Sequence, residues 1–197
     1  MKKIQISLLS LAVLAMVSCK NETKKVEEEV TETVEEVVEN VEKEMNKINS
    51  LAFALESKSG SNASGKVGII MEGDVLKFEA IINNLEPGTH AIHIHEKADC
   101  SSADGKSSGG HWNPTREDHG KWGDAKGYHK GDIGNFEVGE DGIGRVEFST
   151  DEWCLGCGDP NKDILGKAII VHQGADDFIS QPSGAAGARV SCGGIIQ

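Results

Sequence analysis

His90-Ala91-Ile92-His93-Ile94-His95-Glu96 reads as one short β-strand that carries more histidine than a strand needs. Successive side chains on a strand point to opposite faces, so His93 and His95, two apart, project together. Working outward, strand-like runs recur at residues 51–57, 66–71, 75–84, 144–149, 167–172 and 188–192. Turn-forming stretches such as Glu72-Gly73-Asp74, Glu86-Pro87-Gly88 and Glu140-Asp141-Gly142 separate several of them. Helical periodicity is gone from about residue 50 onward, and glycine is frequent. Short strands punctuated this way predict an all-β domain, an antiparallel sandwich or barrel, over residues 50–197. Two stretches, 97–135 and 173–187, are too long for turns and are expected to be functional loops.

The first 49 residues have another texture. Lys2-Lys3 precedes an apolar run over residues 4–17, too short to span a bilayer comfortably, which reads as a signal peptide of residues 1–18. Val17-Ser18-Cys19 resembles a bacterial lipobox, with Met16 in place of the more usual leucine, so Cys19 is expected to carry lipid. That places the protein outside the cytoplasm, anchored to the membrane of a bacterial cell envelope. Residues 20–47 hold ten Glu and five Lys, with no Gly, Pro or aromatic residue. Val26, Val30, Val34, Val37 and Val41, followed by Met45 and Ile48, trace a narrow helical stripe. Residues 19–49 are therefore expected to form an acidic, partly helical tether; a short coiled coil pairing two copies is the other reading.

Formal net charge is −12, of which residues 20–47 contribute −5 and the two leader lysines +2, leaving about −9 on the rest. So acidic a surface argues against nucleic acid as a partner. After Cys19, four cysteines remain. Cys100 and Cys192 can form a long-range disulfide, as an exported protein allows. Cys154 and Cys157 make a close Cys-x-x-Cys pair in β-type surroundings, read as a local disulfide, with a redox motif or an extra metal site as the alternatives.

Six of the seven histidines, with one aspartate, fall into a pattern suited to two adjacent metal ions: His93, His95, His111, His119, His129, Asp132 and His172. Four imidazoles at one ion, with three imidazoles and a carboxylate at the other, need one histidine more than these six supply. A single imidazole bridging both ions closes the count. Three histidines and an aspartate suit tetrahedral zinc, and an all-imidazole set suits copper. Copper beside redox-silent zinc points to one-electron chemistry rather than hydrolysis.

Five segments in order carry a resemblance to a known family: His90 to His95, Gly109-Gly110-His111-Trp112-Asn113-Pro114, His129-Lys130-Gly131-Asp132-Ile133-Gly134-Asn135, Val171-His172-Gln173-Gly174-Ala175-Asp176-Asp177 and Gly187-Ala188-Arg189-Val190-Ser191-Cys192-Gly193. Residues 50–197 resemble copper–zinc superoxide dismutase. The resemblance implies a Greek-key β-sandwich or flattened barrel with superoxide as substrate and one copper and one zinc per chain. It assigns copper to His93, His95, His111 and His172, and zinc to His111, His119, His129 and Asp132, with His111 as the bridge. It further implies that Asp176 ties a copper histidine to a zinc histidine, that Arg189 is the cation beside copper, and that Cys100 and Cys192 are bonded. His111 is expected to take and return a proton in turnover. His90 falls outside the ligand set and is expected to be a hydrogen-bonded core residue.

The sequence departs from the animal pattern in two places. Residues 178–188 contain no lysine, so Lys121, Lys126 and Lys130 in the first loop become the candidates for guiding an anion. The Cys154–Cys157 segment has no animal counterpart. A homodimer is a possibility that the resemblance leaves open. Two other functions compete: a copper- and zinc-binding envelope protein without catalysis, and a zinc hydrolase, which would need an open zinc position.

Overall fold

The computed structural model describes residues 49–197; the leader, Cys19 and nearly all of the tether lie outside the described residues. Eight strands form the domain: β1 (Ser50–Ser57), β2 (Ser64–Glu72), β3 (Val75–Asn83), β4 (Gly88–His95), β5 (Gly134–Val138), β6 (Gly144–Thr150), β7 (Ala168–His172) and β8 (Arg189–Gly194). They close into one barrel in the order β1-β2-β3-β6-β5-β4-β7-β8, with every pairing antiparallel. Strands β4, β5 and β6 lie side by side, and β3 and β7 flank them on either edge. That is the Greek-key order, reached twice.

Period-two patterning explains the barrel interior. Along β3, Leu76, Phe78, Ala80 and Ile82 are buried while the alternate residues are exposed. They meet Val67 and Ile69 of β2, Ile92 and Ile94 of β4, Phe136 and Val138 of β5, and Ile169 and Val171 of β7 in one core. Strands β4 and β7 are buried on both faces. Their inward residues join that core, and their outward ones, including His93, His95 and His172, lie under the long loops. A second small cluster of Ala168, Ile170 and Cys192, with Cys100 packed on it, anchors the first loop. The Cys100–Cys192 disulfide spans a Cα–Cα distance of 5.8 Å there.

One strand was not expected. β5 lies at the end of what reads as the loop 97–135, because Gly-Asn-Phe-Glu-Val is only five residues long and opens on a glycine with φ of 118°. Its two inward side chains, Phe136 and Val138, are enough to make it a strand once β4 pairs with it from Gly88 to Ile92. The expected strand at 188–192 runs on to Gly194.

Candidate metal centre

β4 extends past the end of β5, and loop segments take the place of the missing strand. Trp112 donates its backbone N–H to the Ile94 carbonyl at 2.8 Å, and Ile94 donates to the Gly131 carbonyl at 2.9 Å. His111 forms an isolated bridge with His95. Gly131 fits because a Cβ there would collide with the Ile94 carbonyl. The backbone of β4 therefore draws the His111 and His129-to-Asp132 segments onto the face that carries His93 and His95. β7 delivers His172 from the other side, through a bulge between Val171 and His172.

The result is two clusters with one member in common. His93, His95, His111 and His172 form the first, and His111, His119, His129 and Asp132 the second; within each, candidate donor atoms lie within 4.8 Å of one another. All are buried, His93 completely. Among the described residues, the buried side-chain nitrogens and oxygens with no hydrogen-bond partner are His93 Nδ1, His95 Nε2, His111 Nε2, His172 Nε2, His119 Nδ1 and His129 Nδ1. Unpartnered buried polar atoms are costly and rare in folded proteins. Here four point into the first cluster and two into the second, where the Nδ1 atoms of His119 and His129 face Asp132 at 3.0 and 3.4 Å. Such convergence is what metal coordination requires, and the donor types fit copper and zinc respectively.

The remaining ring nitrogens are tied down. His95 Nδ1 lies 2.9 Å from the Gly109 carbonyl, and His172 Nδ1 lies 3.4 Å from that of Gly187. Asp176 receives His93 Nε2 at 2.8 Å on one oxygen and His119 Nε2 at 2.9 Å on the other. One carboxylate thus links the two clusters, and such partners fix ring orientation. Asp176 is itself held by Asn135, which accepts from its N–H and donates to its carbonyl, each at 2.8 Å. His111 Nδ1 lies 2.8 Å from Asp132, leaving Nε2 for the other cluster. Asp132 also accepts backbone N–H groups from His129 and Gly120.

These contacts set the charges. Burial, reinforced by neighbouring imidazoles, holds His95 and His172 well below the usual histidine range. Burial takes His111 down to about 4 against the pull of Asp132. At His119 burial acts the same way, but Asp132 and Asp176 outweigh it and push the ring up to about 9. Burial would raise Asp132 and Asp176, yet their histidine partners keep both far below the carboxylate range. His95, His111 and His172 are thereby neutral imidazole donors, and the second cluster is anchored by ionised carboxylate.

A cleft opens onto the first cluster, lined by His95, His111 and His172 together with Arg189, Lys106 and Asp104. Arg189 donates Nη1 to the Gly105 carbonyl at 2.8 Å and to Ser108 Oγ at 3.1 Å, which aims the guanidinium into the cleft. The expected guiding lysines are elsewhere. Lys121, Lys126 and Lys130 do not line this cleft; Lys126 borders a different one, and Lys130 is paired with Glu152. Lys106 occupies the rim instead, 3.1 Å from Asp104. His90 is no ligand: it is buried in the core, with ring nitrogens 2.9 and 2.8 Å from the His172 and Glu86 carbonyls.

Some positioning residues had no sequence signal. The Gln181 side chain pairs with both backbone groups of His119, at 2.9 Å each, and so ties the second loop to the first. Gly184, at φ 65°, sits where any Cβ would collide with the Asp176 carboxylate and crowd His119.

The copper/zinc superoxide dismutase (SODC) family matches the chain over residues 63–195. The chain belongs to that family. Among similar proteins, the superoxide dismutase-like protein YojM of Bacillus subtilis is 37% identical over 143 residues, which is 68% of this chain and 72% of the relative. Superoxide dismutase [Cu-Zn] 1 of Aquifex aeolicus is 37% identical over 134 residues, 66% of this chain and 78% of the relative. A crystal structure of a SOD-like protein from Bacillus subtilis superposes with a TM-score of 0.65 at 35% identity, covering 73% of this chain and 97% of that one. The fold, the family and the two histidine clusters therefore agree.

Proposed function

We propose that this protein is a superoxide dismutase of a bacterial cell envelope, converting two superoxide ions and two protons to oxygen and hydrogen peroxide. The observation that carries the reading is the convergence of six buried, unpartnered imidazole nitrogens on two points that share His111. Copper would be held by His93, His95, His111 and His172, and zinc by His111, His119, His129 and Asp132. Copper held there would supply one-electron exchange with superoxide, and zinc would help to hold the shared imidazole.

The chain's own groups supply the rest. Arg189 faces the cleft as a fixed cation and orients the small anion beside the first cluster, the role a guanidinium suits because it stays charged and offers several donors. His111 Nε2 takes up a proton in one half of the cycle and gives it to the reduced oxygen species in the other. Asp132 lies on the Nδ1 side of that ring, the side that would hold zinc, which leaves Nε2 as the nitrogen that exchanges the proton. Gly109 and Gly187 hold His95 and His172 so that Nε2 of each faces the same point. The apolar run over residues 4–17 and the Ser18-Cys19 junction support secretion and lipid attachment at Cys19.

The test is superoxide dismutation by the protein loaded with copper and zinc, compared with the protein loaded with zinc alone. Rapid, copper-dependent dismutation with one copper and one zinc per chain is expected. Full loading of both metals without dismutation would replace the enzyme with a metal-binding envelope protein.

A further inference from the structure

One more group of metal-ligating side chains converges among the described residues, away from the histidines. Cys154, Cys157 and Asp163 have donor atoms within 4.8 Å of one another, in the segment between β6 and β7. The two cysteines are joined as a disulfide, with Cys157 exposed and Cys154 half-buried.

The shape of this loop is held by more than the sulfur–sulfur bond. Asp163 accepts backbone N–H groups from Gly156 at 2.9 Å, Gly158 at 2.7 Å and Leu165 at 3.0 Å. Cys154 donates its N–H to the Lys162 carbonyl at 2.8 Å, and Ile164 donates to the Cys154 carbonyl at 3.1 Å. Trp153, Leu155 and Ile164 are sunk in the main core. A disulfide across two intervening residues also closes the kind of short loop from which cross-linking gains least. Once the bond is opened the two sulfurs must move apart, on Cα atoms that lie 6.0 Å from each other with the Asp163 carboxylate beside them. The Asp159 N–H lies 3.5 Å from Cys157 Sγ. Two thiolates and a carboxylate on a braced, solvent-facing loop make a donor set for a soft cation.

We propose that Cys154, Cys157 and Asp163 form a third, separate metal site, closed as a disulfide and opened by reduction, that takes a closed-shell thiophilic cation, copper(I) or zinc. A dithiol supplies the two electrons: its two S–H groups become a disulfide, and the Cys154–Cys157 bond becomes two thiols. The entering cation then displaces both protons. None of the clustered histidines takes part, so the site stands or falls independently of the proposed dismutase activity.

The experiment uses the full chain with both histidine sites already filled by copper and zinc. It is treated with a dithiol, freed of reductant, then offered zinc in one arm and copper(I) in the other. Two new thiols and one further ion per chain are expected in at least one arm. No further ion is expected in the untreated chain, or in the reduced Cys154→Ser, Cys157→Ser double variant. Asp163→Asn should weaken uptake at least tenfold. New thiols without uptake in either arm would overturn the site, as would equal uptake by the double variant or resistance of the bond to the dithiol. Unchanged affinity in Asp163→Asn would remove Asp163 from it.

Discussion

Arg189 is held by two oxygens of the first loop and faces three histidines, so its charge can act on a small anion without moving far. Arg189→Ala should lower dismutation at low superoxide by about tenfold or more, the size of effect a focused cation can have on encounter. Copper and zinc content should stay at one each, and Arg189→Lys should recover part of the loss. Asp176 acts differently, through the rings it orients. In Asp176→Asn one oxygen still accepts, but the amide nitrogen cannot accept from the second histidine. Zinc affinity should fall about 10- to 100-fold, read by competition with a chelator. The members of the two clusters were legible in the sequence because two-residue strand spacing and ordered motifs mark them. Gln181 and Gly184 were not, since their roles depend on a loop meeting another loop far away in sequence. The lysines considered as guides could not be placed from sequence for the same reason: Lys130 adjoins His129 in the chain, while its side chain turns to Glu152.

At the scale of elements, the barrel strands were legible wherever inward residues alternate over seven or more positions, as in β3. β5 was hidden because its pattern offers two inward side chains and begins at a glycine with positive φ. Its shortness has a use: where β5 stops, the ligand segments take up the free edge of β4. Phe78, buried at the centre of β3, tests the frame that supports them. Phe78→Ala should destabilise the domain by about 3–5 kcal/mol in denaturant unfolding. The segment after β6 also reaches the metal centre, since Trp153 donates its ring N–H to the Lys130 carbonyl at 2.8 Å, next to His129. Trp153→Phe removes that donor while keeping most of the volume. Zinc should then be released about tenfold more readily, with copper retained.

For the whole molecule, charge and cross-linking set the behaviour. Outside the leader and tether the chain carries about −9, and the cleft rim sets Lys106 and Arg189 against Glu96 and Asp104. Long-range attraction of superoxide is therefore weak, and the overall field repels it. Raising ionic strength from about 0.01 M to 0.15 M shortens the Debye length from about 30 to 8 Å. The dismutation rate should hold steady or rise over that range; a severalfold fall would show that attraction dominates after all. The Cys100–Cys192 bond joins residues 92 apart and pins the first loop beside Arg189. The measurement that bears most directly on the centre is electron paramagnetic resonance of the protein with copper(II) loaded into both clusters. If one deprotonated His111 ring bridges the two ions, their spins couple and the ordinary copper signal is lost, to return in His111→Ala. Two independent copper signals of full intensity in the unaltered protein would contradict a shared histidine, and with it the two-metal site.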